Sequence, residues 1–255
     1  MNTNYVFKRT EKKYLIPEKK FNLFIKRIDS YMTVDKYGIH TICNIYYDTD
    51  TFDLIRKSIE KPSYKEKLRL RSYGIPNDND SVFLELKKKY DHTVFKRRVE
   101  LTLKEAENYL EHGIIPVEKN QILKEIDYFT KMYKPDKKIF IAYDRMALFG
   151  KEDKTLRITF DMDIRSRLHD LNLGSGDYGN PLKINGFLME IKIPGSLPLW
   201  LANILSQLKI YPVSFSKYGT IYKDIVKENY IELFDYNKSN NSTDIRRKDK
   251  CLQVS

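Results

Sequence analysis

The chain has 255 residues, 41% hydrophobic and 32% charged, and Lys+Arg 46 against Asp+Glu 35 leaves a net charge of +11. That apolar content suffices for a buried core and excludes a disordered chain, while Gly at 10 and Pro at 9 exclude collagenous or linker-dominated ones. The cationic excess points to a polyanionic partner: nucleic acid, phosphate chains, nucleotides or an acidic membrane surface.

In chain order, Tyr5 to Ile16 alternates apolar and charged residues as a strand does, and Pro17 then opens a helix with Phe21, Phe24, Ile25 and Ile28 at helical spacing. Ile39 to Tyr47 reads as a less regular, more buried strand. Tyr64 to Tyr73 and Val82 to Lys89 are strands joined by the turn Gly74–Asp80. Thr93 to Thr102 follows, and Thr102 with Glu105 is a capping box for a helix that stops at Gly113. A helix is predicted over Asn120 to Tyr133. Ile139 to Leu148 and Leu156 to Arg165 form a hairpin around Gly150–Lys154, with Leu156, Ile158, Phe160, Met162 and Ile164 strictly alternating with polar residues. Phe187 to Ile193 is the last clear strand, with helices expected at Ser196 to Lys209 and Ser216 to Tyr230. Residues 1–235 read as one α+β domain, an antiparallel sheet with helices on its apolar face, and 236–255 as a polar, disordered tail.

Other signals are negative. The N-terminus has no signal-peptide apolar core, which predicts a cytoplasmic protein, and no apolar run reaches the roughly 20 residues of a membrane-spanning helix. Cys43 and Cys251 give no disulfide framework, and His40, His92, His112 and His169 lack zinc-ligand spacing, so a metal here would sit on carboxylates. Gly174-Ser-Gly176-Asp-Tyr-Gly179 matches G-x-G-x-x-G but opens no helix, so it reads as a flexible loop, a candidate lid, and not a dinucleotide site. Tyr14, Tyr73, Tyr90 and Tyr218 read as barrel-rim packing.

The side of each strand opposite its apolar residues collects Arg9, Glu11 and Lys13; Lys65, Lys67, Arg69 and Arg71; Glu85, Lys87 and Lys89; Lys96, Arg98 and Glu100; Tyr143 and Arg145; Arg157, Asp161 and Asp163; Glu190 and Lys192. For any one Lys/Glu pair the alternative is a solvated sheet face. Taken together the strands repeat cations at every second position, and like charges across neighbouring strands destabilise a sheet. A sheet curled around this face would make a cationic lumen for a polyanion, gripped by guanidinium groups that engage two phosphate oxygens at once.

Arg9-Thr-Glu11-Lys-Lys13-Tyr14, Leu68-Arg69-Leu-Arg71, Phe83-Leu-Glu85-Leu-Lys87, Lys96-Arg-Arg98, Tyr143-Asp-Arg145, Met189-Glu190-Ile-Lys192 and Ser214-Phe-Ser216-Lys217-Tyr218 together resemble the VTC domain, the polyphosphate polymerase branch of the CYTH-like triphosphate tunnel superfamily, in its short prokaryotic form. The resemblance spans Tyr5 to Ile231. It implies an antiparallel β-tunnel of about eight strands and transfer of the γ-phosphate of ATP to a growing polyphosphate chain, with a divalent cation, Mn²⁺ or Mg²⁺. Carried over by position, Arg69, Arg71, Lys87, Arg145 and Arg157 would be catalytic; Lys13, Lys96, Arg98, Tyr143, Lys192, Ser216 and Lys217 would bind phosphate or nucleotide; Glu190 would hold the metal. Glu11, Glu85 and Glu100 would orient the cations. Arg9 stands where the wider superfamily has its first Glu, and Ser214 where the eukaryotic pattern often has Lys. The expected partners are ATP and polyphosphate, without nucleic acid, and any membrane attachment would come through a partner protein. The alternatives are a triphosphatase of the same fold and a non-catalytic polyanion-binding module.

The chemistry agrees with that expectation. A terminal phosphate is largely ionised near neutral pH, its second pKa being about 6, so chain extension needs no general base. Hydrolysis would need water activated by a carboxylate or a second metal. Ser216 also reads as the N-cap of the last helix, its neighbouring amides facing phosphate.

Overall fold

The computed structural model describes residues 9–91, 93–116 and 120–227. The expected tail at 236–255 and Cys251 lie outside these residues. The elements are β1 (Arg9–Ile16), α1 (Glu18–Ile28), β2 (Met32–Asp48), α2 (Asp53–Ile59), β3 (Tyr64–Tyr73), β4 (Ser81–Tyr90), β5 (Thr93–Thr102), α3 (Leu103–His112), α4 (Gln121–Tyr133), β6 (Asp136–Gly150), β7 (Arg157–Arg167), β8 (Asn180–Pro181), β9 (Phe187–Pro194), α5 (Leu199–Gln207) and β10 (Pro212–Val213). A last helix, α6, occupies 217–227.

All pairings are antiparallel, in the order β10-β1-β9-β7-β6-β2-β3-β4-β5, with β8 on β7. The sheet has ten strands rather than about eight, because β8 and β10 are two-residue pairings that no alternation announces. The sheet curls strongly enough for side chains to meet across it: Arg71 of β3 reaches Tyr143 of β6, and Lys96 of β5 reaches Glu11 of β1 at 3.4 Å. The edges β5 and β10–β1 share no ladder, so that ion pair spans an open seam.

Three apolar clusters fix the curl. Outside, Leu68, Leu70, Leu84, Leu86, Phe140 and Ala142 pack under α3 and α4. Also outside, Tyr14, Ile16, Ile158, Phe160, Met189 and Ile191 pack under α1 and α5 through Phe24, Ile28, Leu201 and Leu205. The third lies inside the curl: Ile42, Ile139, Ile141, Tyr143, Ile164 and Leu188 receive Ile55 of α2 and Tyr218 and Ile221 of α6. The inner face is therefore half apolar wall and half cationic wall. Tyr218 is consequently no rim residue: it is buried and donates to Asp48 at 2.8 Å, while the Asp48 carboxylate caps the Leu54 and Ile55 amides of α2. Tyr14 is buried in the outer layer, and Tyr73 and Tyr90 are exposed.

β2 extends well beyond Ile39–Tyr47, with a register shift between Val34 and Ile39, and α2 has no counterpart in the sequence reading, since seven residues give too short an apolar period. The capping box at Thr102 and Glu105 is present, with Gly113 left-handed at the C-terminus. The glycine loop at 174–179 is pinned: Arg167, sandwiched between the rings of Phe140 and Tyr178, donates to the carbonyls of Asp170, Asn172, Gly176 and Tyr178. A free lid is thus not what these bonds describe.

Gly186, entering β9, has φ +95, and a Cβ there would stand 2.1 Å from the carbonyl oxygen of Ile16 and 2.7 Å from Cα of Pro17. Gly186→Ala should destabilise the fold by at least about 2 kcal/mol, a fall in Tm of roughly 4–8 °C in a calorimetric scan; an unchanged Tm would mean that this approach is not tight in solution.

Candidate functional site

Strand pairing sets the positions of the inner side chains. Asn44, Arg71 and Ile141 share one level, and Lys67, Lys87 and Lys96 another. Lys13, Glu190 and Thr159 share a third, and Glu11, Lys192 and Arg157 a fourth.

Two carboxylates organise the cations. Glu85 of β4 accepts from Arg69 Nε (2.6 Å) and Arg98 Nε (2.8 Å), with Arg71 at 3.8 Å. Burial opposes its ionisation, but the guanidinium groups of Arg69 and Arg71 outweigh that and hold its pKa at about 2. Arg69 also donates to the Tyr46 hydroxyl (3.1 Å), and Arg71 to Asn44 Oδ1 (3.0 Å) and the Tyr143 hydroxyl (3.5 Å). On the other side Asp161 of β7 takes a bidentate pair from Arg145 (2.6 and 2.9 Å) and a bond from Lys217 at the start of α6. Although burial works against it, Lys217 and Arg145 hold Asp161 far below the usual carboxylate range. Lys217 lies 4.0 Å over the ring of Tyr143. Burial raises the Tyr143 phenol, but Arg71, Arg145 and Lys217 bring it down to about 8.

The N-terminus of α6 enters this basin. Ser216 caps it, its Oγ accepting from the Gly219 amide (3.2 Å) and from Lys67 Nζ (3.2 Å), while Lys13 Nζ donates to the Phe215 carbonyl (3.2 Å). Burial lowers Lys67 to about 8, helped by the like charges of Lys87, Lys65 and Lys13. Lys87 makes no hydrogen bond or ion pair among the described residues, and burial lowers its pKa too. Burial likewise opposes ionisation of Glu11, yet Lys192, Lys87, Lys96 and Lys13 draw its pKa down to about 2. Helix N-terminus, lysines and arginines together form a basin able to neutralise several phosphate groups.

The structure thus brings Lys13, Arg69, Arg71, Glu85, Lys87, Arg98, Tyr143, Arg145, Glu190, Lys192, Ser216 and Lys217 to one inner face. Three of the expected residues stand apart. Arg157 is exposed and stacks on Phe149 at 4.6 Å, so it belongs to the mouth. Glu100 accepts from the Ser81 hydroxyl at 2.7 Å and makes no ion pair among the described residues. Lys96, with 60% of its side chain exposed, spans the seam to Glu11. Glu190 is buried and pairs with Lys192. Asp161, Lys67, Asn44 and Tyr46 are the additions; alternation placed Asp161 and Lys67 on this face without assigning them work, whereas Asn44 and Tyr46 sit in the irregular β2.

The VTC domain family matches residues 8–226 of the chain. Vacuolar transporter chaperone complex subunit 4 of Trypanosoma cruzi is 26% identical over 66% of this chain, which spans about a quarter (27%) of that relative's length. Among solved structures, a provisionally assigned adenylate cyclase of Bacillus halodurans superposes with TM-score 0.52 at 16% identity, covering 81% of this chain and 92% of that one. A provisionally assigned adenylyl cyclase of Hippeastrum, described as having a dominant triphosphatase activity, gives TM-score 0.50 at 15% identity over 84% and 95%. At these identities the two structures show a shared fold.

Lys87→Met keeps the apolar stem and removes an unpaired charge. It should weaken tripolyphosphate binding about tenfold or more while leaving stability unchanged or raised by up to about 1 kcal/mol, measured by calorimetry and denaturant unfolding; unchanged affinity would remove Lys87 from the site. The pH profile has a definite sign. As pH rises through about 8, Lys67 loses its charge and Tyr143 gains a negative one, so tripolyphosphate affinity should fall across that range and fall later in Lys67→Arg. A flat titration would contradict it.

Proposed function

The chain belongs to the VTC domain family, and from that premise we propose that it is an ATP-dependent polyphosphate polymerase, transferring the γ-phosphate of ATP to the end of an inorganic polyphosphate chain. One observation carries this reading over hydrolysis. Three inner carboxylates are already taken up by cations, Glu85 by arginines, Asp161 by Arg145 and Lys217 and Glu11 by Lys96, and the fourth, Glu190, would exchange its Lys192 partner for the metal ion. This leaves none of them free to activate water, which hydrolysis needs from a carboxylate or a second metal and chain extension does not need.

The residues would divide the work as follows. Arg69 and Arg71, held by Glu85, and Arg145, held by Asp161, would neutralise the transferring phosphoryl group, whose loose transition state responds mainly to positioning and charge. Lys13, Lys67 and Lys87, which lack carboxylate bonds among the described residues, would neutralise the acceptor chain, together with the α6 amides and Lys217. An oxygen of the terminal phosphate attacks the γ-phosphorus, the bond to the β-bridging oxygen breaks, and ADP leaves; no proton needs to move.

A divalent cation fits the residues present in one way. No group of three His, Cys, Asp or Glu side chains forms a ready cage among the described residues. The hydroxyl of Thr159 is buried without a hydrogen-bond partner among the described residues and sits directly across from Glu190. Glu190 and Thr159 would hold the ion, with phosphate and water oxygens completing its shell, as suits Mg²⁺ or Mn²⁺. When bound it would supply charge neutralisation at the phosphates. On this reading the protein works in the cytoplasm, where ATP is available; no helix among the described residues is long and apolar enough to cross a membrane.

Purified protein given ATP and manganese should produce a lengthening polyanion ladder on a gel. Free phosphate without a ladder would favour the triphosphatase, and binding with no turnover the passive module. Glu190→Gln should lose activity together with metal dependence, and full activity in that variant would place the cation elsewhere.

A further inference from the structure

One mouth of the tunnel is lined by rings that belong to none of the three buried clusters. His40 of β2 lies 6.4 Å from Tyr37 and 6.1 Å from Tyr73 of β3, and Tyr73 lies 5.6 Å from Phe83 of β4 in an edge-on arrangement. Tyr73 is 51% exposed, so part of its ring is open to a ligand, and Tyr37 beside it is 66% exposed. Arg98 lies 4.3 Å over Phe83 and donates to the Tyr73 hydroxyl at 3.4 Å. Nδ1 of His40 is buried and has no hydrogen-bond partner among the described residues, a state that costs free energy unless something outside the chain meets it.

Pairing ties this ring cluster to the cations: Tyr73 follows Arg71 on the same face of β3, and His40 pairs across with Arg145. From Tyr73 to Arg69 is four residues of strand, about 13 Å at roughly 3.3 Å per residue, a length along which a nucleoside triphosphate can lie. We propose that Tyr37, His40, Tyr73 and Phe83 form a nucleobase subsite, which stacks the base of the donor nucleotide at this mouth and directs its phosphates inward to Arg71, Arg69 and Arg145. His40 Nδ1 supplies the polar contact to a base edge or ribose hydroxyl. This rests on the polymerase reading, in which a nucleotide is the donor, and adds a direction to it. The donor enters between β2 and β4, and the phosphate chain occupies the stretch of Lys67, Lys87 and Lys96.

The test compares ATP with tripolyphosphate, which carries the phosphates without a base, by calorimetric titration of the full chain in magnesium. Tyr73→Leu should weaken ATP at least about fivefold, the lower end of what loss of one base–aromatic stack costs, and leave tripolyphosphate affinity unchanged. Tyr73→Phe keeps the ring, so it should retain the ratio of ATP to tripolyphosphate affinity that Tyr73→Leu loses, any effect of the lost hydroxyl bond to Arg98 falling on both ligands alike. Unchanged ATP affinity in Tyr73→Leu, or an equal loss for both ligands, overturns the subsite. Wild-type protein that binds tripolyphosphate and not ATP overturns it while leaving a phosphate-binding tunnel, and wild-type protein that binds neither overturns the reading on which it rests.

Discussion

Like charges on the inside of a curled sheet repel one another, and this fold accommodates them by giving each half of the basin a carboxylate that gathers several cations. Glu85 gathers the guanidinium groups of β3 and β5, and Asp161 gathers Arg145 of β6 and Lys217 of α6. Both carboxylates are held ionised by the cations around them against the pull of burial. Removing one partner of such a group leaves the other charge buried and uncompensated. The arginines are thereby fixed in direction before any ligand arrives, as electrostatic preorganisation requires.

The lysines are treated differently. Lys13 and Lys67 are met by a carbonyl and a hydroxyl, and Lys87 by neither among the described residues. The charge left over on this wall is what a chain of phosphates would neutralise. On the proposed polymerase reading, division of the basin into clamped arginines and lightly held lysines would answer two demands of phosphoryl transfer, a rigid place for the reacting group and a looser track for a polymer.

Helix α6 connects packing with this electrostatic arrangement. Its apolar residues Tyr218 and Ile221 fill the inner wall of Ile42, Ile139 and Ile141, and the same docking brings Ser216, Lys217 and the first amides of the helix to the phosphate basin. Tyr218 ties it to Asp48, and Asp48 to α2, so the position of the helix is fixed by buried bonds to the end of β2 and the start of α2.

Much of this was legible in the sequence, because a strand has a period of two and the inner face of β1, β3, β4 and β5 can be read off as every second residue. The cationic identity of Lys13, Arg69, Arg71, Lys87 and Arg98 needed only that period, and the family resemblance carried the alternation over to a tunnel. Alternation says which side a residue faces and not what it meets there. Thus Arg157 and Arg145 read alike in the sequence, while one stacks at the mouth and the other is clamped. Glu100 and Glu85 read alike too, although only Glu85 lies within reach of three guanidinium groups. Pairing register and the curl of the sheet decide such contacts, and they depend on residues far apart in the chain. The apolar inner wall was hidden for the same reason: β2 and β6 are apolar on both faces, so nothing local distinguishes the outer core from the seat of α6. The sequence by itself determined the alternating sheet, its charge and the residues facing inward; the tertiary structure alone decided which cations are clamped and which wait for a ligand, because only the closing of distant strands brings a carboxylate within bonding distance.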